Sequence, residues 1–392
     1  MNIILFDGNS RSDLLPLTFT RPVAEIRVGI FSIRQKWEHI LSATCSWLTE
    51  DYLTGKFPLA LCDDNLFVAG NLLPDSVLAE AVAQLKTRES LCAGDQLLAY
   101  RGVMSGFEQI AQASRIEFGG DVRQICQVYD VFTRNSEEIE ADFRRITCGR
   151  TSAKLSPTVQ IIGEQYFADG TPKLFVEEGV VAECATINLK NGPVYLGRDV
   201  EIMEGSHIRA PFAACEHAVV NMGAKIYGPT TLGPYCKVGG ELNNVVMFGY
   251  SNKAHDGFLG NAVIGEWCNL GAGTESSNLK NDYSEVRIWN YPSRRFAKTG
   301  LQFCGLIMGD YSKAGINTLF NTATVVGVGC NVYGSDFPRV FIPSFNEGGA
   351  SGFERANLKK FFVTTEKVKA RRGIALTDAD RAICEKVFEL DS

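Results

Sequence analysis

Between Lys225 and Ala272 an aliphatic residue, with glycine at or near the next position, recurs every six residues. Ile226, Leu232 and Val238 keep that step, as do Ile264 and Leu270, each followed by glycine (Gly265, Gly271). Upstream, Leu196, Ile202 and Ile208 share it; downstream, Met308-Gly309 and Ala314-Gly315 do, and Val326 pairs with Val332. A period of six fits neither the 3.6 residues of a helical turn nor the two-residue alternation of a strand. It fits a chain wound into a triangular prism, one hexad per face, with glycine favoured at the sharp corners. The region 157–345 is therefore expected to be a parallel β-helix of hexapeptide repeats. The period breaks around 275–298, which predicts an insertion there.

The first 150 residues have a different texture. Asn2–Phe6 reads as a short buried strand ending in the turn cluster Asp7-Gly8-Asn9-Ser10. Ile30, Ile33, Trp37 and Ile40-Leu41 have helical spacing, and further helices are expected over 75–89 and 136–146. Strands are expected over 59–62 and 96–100, giving a βαβ rhythm and an α/β domain with a parallel or mixed sheet. After Phe353 helical composition returns, in a tail expected to cap the open end of the prism. The domains are thus expected at 1–150, 151–350 and 351–392.

A net charge of −6 argues against a nucleic-acid surface, which needs clustered Lys and Arg. The N-terminal sequence has no basic, apolar leader pattern, and no run of about 18 apolar residues exists to span a membrane. Twelve cysteines without a Cys-x-x-Cys pair read as reduced thiols, so the chain is expected in the cytoplasm.

One stretch of the prism, Lys253 to Asn278, carries the residue types that acyl transfer to an amine requires. A base must take the amine proton, donors must face the carbonyl oxygen, and other groups must hold the acceptor. His255 suits the first task, and Asn269, Asn278 and the backbone of Ala272-Gly273-Thr274 suit the others. The four histidines, His39, His207, His217 and His255, lack the close spacing of a metal site in such a prism.

The run resembles the acetyltransferase domain of the bifunctional GlmU family, which makes UDP-N-acetylglucosamine. On that resemblance His255 falls on the catalytic base, Phe258 replaces a tyrosine, and Asn269 and Asn278 match two asparagines. Leu270-Gly271-Ala272-Gly273-Thr274 matches the glycine-rich run. Lys225 aligns with an arginine that holds the acceptor phosphate, and Asn243 stands where the family has a lysine. Lys225, Lys253 and Lys280 are the cations left for phosphate. The resemblance implies a left-handed parallel β-helix, a homotrimer, and acetyl-CoA held by Ala272, Gly273, Thr274 and Ala314, with Gly309, Lys313 and Lys298 also near it.

The N-terminal order of strand, glycine turn, Arg11, Leu15-Pro16, Arg21-Pro22 and Arg27-Val28-Gly29 resembles a Rossmann-like sugar nucleotidyltransferase domain. Together the two halves are similar to a divergent, Bacteroidetes-type group of GlmU-like proteins. That likeness implies that Gly8, Arg11, Arg21, Arg27 and Lys36 hold nucleotide phosphates, and that Asp7, or Asp63-Asp64, helps to bind Mg²⁺. It implies two reactions: acetyl transfer from acetyl-CoA to glucosamine 1-phosphate, and uridylyl transfer from UTP to N-acetylglucosamine 1-phosphate. Two alternatives remain open at the level of sequence. One is a nucleotidyltransferase for another sugar 1-phosphate with the prism serving assembly or regulation. The other is a non-catalytic hexapeptide scaffold.

Overall fold

A computed structural model describes residues 2–103, 110 and 112–391. Two compact units emerge: Met1–Ile26 with Phe31–Gln127 and Asp378–Ile383, and Arg27–Ile30 with Val128–Thr377 and Cys384–Ser392. The first break after the N-terminal sheet thus falls at 127/128.

The first unit is built on a six-stranded mixed sheet, with β1 (Asn2–Phe6), β2 (Cys45–Leu48), β3 (Asn65–Ala69), β4 (Glu89–Ala93), β5 (Gln96–Gly102) and β6 (Ser114–Glu117) in the order β2-β1-β3-β5-β4-β6. β1 runs parallel to both β2 and β3, and β5 is antiparallel to β3 and β4. Central β1 and β3 are fully apolar on both faces in their inner positions, as a sheet covered on both sides requires. α1 (Ile33–Leu41) begins at Ser32, which forms a capping box with Gln35. α2 (Ser76–Ala83) begins at Asp75, whose side chain accepts from the Leu78 amide. The expected strand at 59–62 is irregular and largely exposed; the buried strand is the adjacent β3.

In the second unit the chain visits three parallel ladders in turn, as a β-helix does. Face I carries the inward column Ile208, Ile226, Leu242, Leu259, Ser276 and Phe320. Face II carries Ala214, Leu232, Met247, Ile264, Met308 and Val326. Face III carries Ile202, Val220, Val238 and Lys253, and continues through Leu270, Ala314 and Val332. The six-residue ruler is therefore the step from one inward column to the next, and these side chains are at most 4 % exposed. Each buried aliphatic side chain contributes roughly 1.5–3 kcal/mol relative to exposure. The insertion forms an antiparallel hairpin, Arg287–Asn290 with Arg295–Lys298.

Residues 128–150 join this unit. α3 (Asp130–Thr133) and α4 (Asn135–Thr147) lie beside face II, where Asn135 Oδ1 accepts from Thr231 Oγ1 at 3.0 Å. At the far end, Asn346–Gly349 pairs antiparallel with Gly352–Arg355 and extends face III. α5 (Leu358–Ala370), capped by Asn357, runs along the corner between faces II and III rather than over the end of the prism. Its Phe361 packs on Tyr311 and Phe345, and its Lys369 lies over Trp267. That corner has no flat sheet edge to cover; it presents aromatic rings, and an apolar helix face buries them.

Candidate functional site

The N-terminal cleft, about 730 Å³, opens at the carboxyl ends of β1, β2 and β3, and Phe6, Leu48 and Ala69 line it. Open α/β sheets bind ligands there, where connections leave the central strand in opposite directions. Gly8 lines the cleft with φ of +60°, a left-handed conformation that favours glycine at this turn. Asp7 fixes the turn from below. Its Oδ1 accepts from the Val23 amide (2.7 Å), and its Oδ2 accepts from Arg11 Nη1 (2.8 Å) and Thr49 Oγ1 (2.5 Å). Arg11 is buried and also donates to the carbonyl oxygens of Thr18 (2.5 Å) and Arg21 (3.1 Å) and to Tyr52 Oη (2.9 Å). Its guanidinium is spent on the protein, so it acts as a strut of the loop.

The other N-terminal candidates do not gather around this cleft. Arg21 is buried, and Lys36 is fully buried within α1. Arg27 belongs to the second unit, where its Nε donates to the Phe248 carbonyl (3.0 Å). Asp64 is held by Arg101 at 2.7 Å, and this hydrogen bond lowers its carboxyl pKa. The cleft wall holds Asp7, Asp13, Glu50 and Asp95 against Arg11. Both oxygens of Asp7 are engaged, and among the described residues no three His, Cys, Asp or Glu side chains gather as metal ligands. The residues present do not fit a Mg²⁺ site as the chain stands.

On the prism, the residues expected to form one site stand at different corners. His255 is exposed and follows the face III strand Asn252–Lys253. Asn269 begins the next face III strand, opposite Asn252. Asn278 lies beyond face I, where its Nδ2 donates to Asn261 Oδ1 (2.7 Å). Asn261 in turn meets Asn244 (3.1 Å), making a three-rung asparagine ladder between coils. Lys225, Asn243 and Phe258 lie on face I, and Lys225 is exposed there beside Glu241. Ala314 and Thr274 turn inward, so Ala314 can offer a ligand only backbone; Thr274 Oγ1 donates to the Gly271 carbonyl (2.7 Å). Gly273 has φ of +68°, and a Cβ there would stand 2.1 Å from Asn317 Oδ1. Ala272 is half-buried at the same corner.

Lys253 is not the outward cation that the sequence suggested. It occupies the inward column of face III, 1 % exposed, opposite Val238. Its Nζ donates to the carbonyls of Gly239 (3.2 Å) and His255 (2.6 Å). Burial lowers its pKa to about 8 against the pull of Glu275 and Asp256. Lys280 is likewise engaged, donating to the Glu285 carbonyl (3.0 Å) within the insertion.

A cleft of about 470 Å³ lies between face III and the end of α5. Asn252, Ala254 and Asn269 line its floor, and Tyr250 and Trp267 line one side. These two rings belong to a continuous stack, His217–Tyr235–Tyr250–Trp267, with centroids 4.6, 5.2 and 4.3 Å apart. Lys237, Lys313, Arg371 and Arg372 converge on the cleft, and among the described residues none of the four is ion-paired. Lys313 Nζ donates only to the Tyr311 carbonyl (3.1 Å), and burial lowers its pKa. Arg372 Nη2 donates to the Tyr235 carbonyl (3.4 Å). Four cations without counter-charge in one concave surface favour a ligand with phosphate groups. Lys237 and Lys313 are legible in sequence as the outward residues just before the inward Val238 and Ala314. Arg371 and Arg372 are not, because only the path of α5 brings them here.

Comparison with known proteins sharpens the class. Residues 3–151 match a family model described as sugar nucleotidyl transferase. The bifunctional sugar-1-phosphate nucleotidylyltransferase/acetyltransferase of Sulfurisphaera tokodaii is 29% identical over 145 residues, 36% of this chain and 35% of the relative. Bifunctional protein GlmU of Methanocaldococcus jannaschii is 32% identical over 90 residues, 23% of this chain and 21% of the relative. Bifunctional protein GlmU of Trichodesmium erythraeum is 30% identical over 106 residues, 26% of this chain and 18% of the relative. The chain spans about a third or less of the length of these curated relatives. The matches indicate a transferase. Its N-terminal region is a sugar nucleotidyl transferase domain, joined to a parallel β-helix. No described helix is long and apolar enough to cross a membrane.

Proposed function

We propose that the chain is a cytoplasmic sugar-phosphate transferase that acylates an amino sugar 1-phosphate on its prism and transfers a nucleotidyl group at its N-terminal cleft. For the first step we take acetyl-CoA as donor and glucosamine 1-phosphate as acceptor. The amine lone pair attacks the thioester carbonyl, His255 takes the amine proton, and the C–S bond breaks to release coenzyme A as its thiol. The observation that carries this reading is the face III cleft: four unpaired cations beside Asn269, with Ala254 of its floor leading directly to His255. Because Asn278 and Phe258 lie away from this cleft within one chain, a neighbouring prism of a homotrimer would have to complete the acceptor pocket. Coenzyme A release from acetyl-CoA with several amino sugar phosphates tests the reading; turnover unchanged in His255→Ala refutes His255 as the base.

The second step is uridylyl transfer from UTP to N-acetylglucosamine 1-phosphate, with release of pyrophosphate. Its support is the family match over 3–151 and a nucleotide-sized cleft at the carboxyl ends of the parallel strands. The cleft's own residues supply a fixed glycine turn but little positive charge, so no step is assigned through a metal or through Arg11. Pyrophosphate release on mixing UTP and N-acetylglucosamine 1-phosphate tests it. No release from folded protein, with or without added Mg²⁺, overturns this half alone.

A further inference from the structure

At the corner that carries His255, each carbonyl from Ala254 to Gly257 accepts a hydrogen bond. The carbonyl of Asp256 accepts from the Gly273 amide (3.0 Å), and that of Gly257 from the Glu241 amide (3.1 Å). These are bonds that any coil makes to its neighbours. Three further bonds come from side chains. Asn221 Nδ2 donates to the Ala254 carbonyl (2.8 Å), Lys253 Nζ to the His255 carbonyl (2.6 Å), and the Phe258 amide to Glu275 Oε2 (2.6 Å).

Each of the three has a cost or a constraint that an ordinary corner lacks. Asn221 reaches past the intervening coil, and it can do so because that coil has Gly239 at the crossing. A Cβ on Gly239 would stand 2.5 Å from the Ala254 oxygen and 3.5 Å from Asn221 Cβ. Lys253 fills a position in an otherwise apolar column, between Val238 and Leu270, where a plain aliphatic side chain would avoid desolvating an ammonium. Glu275 projects from the next coil to seize an amide at the far end of the same corner. Such supports are expected where a projecting group must keep one orientation.

We propose that Lys253, Asn221 and Glu275 form a positioning set that fixes the backbone from which the His255 imidazole projects. The proposal rests on the reading of His255 as the base. The charges facing the Lys253 ammonium are Glu275 from the next coil and Asp256 from the corner itself.

The test uses the full chain with ¹³C-labelled histidine, the His255 signal being assigned by its loss in His255→Ala. In Lys253→Met the His255 imidazole resonance is expected to shift or broaden while those of His39, His207 and His217 stay in place. The kcat for coenzyme A release is expected to fall about tenfold, the scale of a sub-ångström misplacement, with KM for acetyl-CoA within twofold. Asn221→Ala should reproduce the spectral change and stands in if Lys253→Met does not fold. A His255 resonance unmoved in these variants overturns the proposal whatever the kinetics. A moved resonance, with turnover unchanged in both Lys253→Met and His255→Ala, supports the positioning and overturns the base reading instead.

Discussion

Replacing Lys253 by methionine isolates the energetic consequence of one ammonium inside the prism. Lysine in the unfolded chain titrates near 10.5, whereas burial lowers the folded value to about 8. Between those values the unfolded state binds more protons, so this group makes stability rise with pH across the window. The penalty is fully present below pH 8 and is relieved as pH approaches 10.5. At about 1.36 kcal/mol per unit the shift corresponds to roughly 3 kcal/mol. Solvent near the corner screens part of it, and about 2 kcal/mol is the working figure. Methionine keeps the unbranched stem and the column filling but loses two hydrogen bonds to carbonyls, worth about 1 kcal/mol each net. The two effects nearly cancel at pH 7, so Lys253→Met should be within about 1 kcal/mol of wild type there. It should fall about 2 kcal/mol behind by pH 10.5. Denaturant unfolding of both proteins at several pH values, followed by circular dichroism, measures the difference directly. Other titrating groups are common to both and drop out. Parallel stability profiles from pH 7 to 10.5 would refute the assignment of a buried, proton-poor lysine.

Further outcomes can be checked at the other sites. Lys237→Ala, Arg371→Ala or Arg372→Ala should each raise KM for the phosphate-bearing substrate and flatten its dependence on salt, with kcat little changed. His255→Ala should lower kcat for coenzyme A release by about a hundredfold or more while leaving the melting temperature within a degree or two. Gly273→Ala should destabilise by about 1–3 kcal/mol in thermal melts, because it combines a left-handed φ with a Cβ 2.1 Å from Asn317 Oδ1. Asp7→Asn should cost about 1–3 kcal/mol by leaving buried Arg11 with only the exposed Glu50, 3.8 Å from its Nε, as charge partner, read as an earlier unfolding transition of the N-terminal unit.

The hexad ruler was legible because inward positions of a coil must be apolar and corners must turn. Ile226, Leu232 and Val238 sit on three successive faces for that reason. Lys253 was misread because the coil leading to it is short: Val238 pairs with Lys253 fifteen positions on, which breaks the six-residue phase. Its inward direction follows from pairing, not spacing. Asn278 was singled out by its match to a motif, yet its amide is engaged in a ladder with Asn261 that no local pattern announces. In the N-terminal unit, Asp7 and Arg11 were placed at the right turn, but their mutual neutralisation depends on Thr49 and Tyr52, which come from elsewhere in the chain. The strand misplaced to 59–62 adjoined an equally apolar run at Asn65–Ala69; pairing with β1 selects the latter.

The insertion divides the prism's folding problem in a particular way. Below it, coils close over short stretches, as when Val246 meets Val263, 17 positions on. Across it, Ile264 must find Met308, 44 positions away. A longer loop adds less than about 1 kcal/mol of closure entropy, so the finished prism scarcely registers it. The order of events can register it: rungs before Ile264 zip from neighbour to neighbour, and so do those after Met308, which meets Val326 18 positions on, whereas the joint between the two blocks must close over the insertion. The hairpin at Arg287–Lys298 therefore marks the seam at which two blocks of the solenoid are joined in time as well as in space.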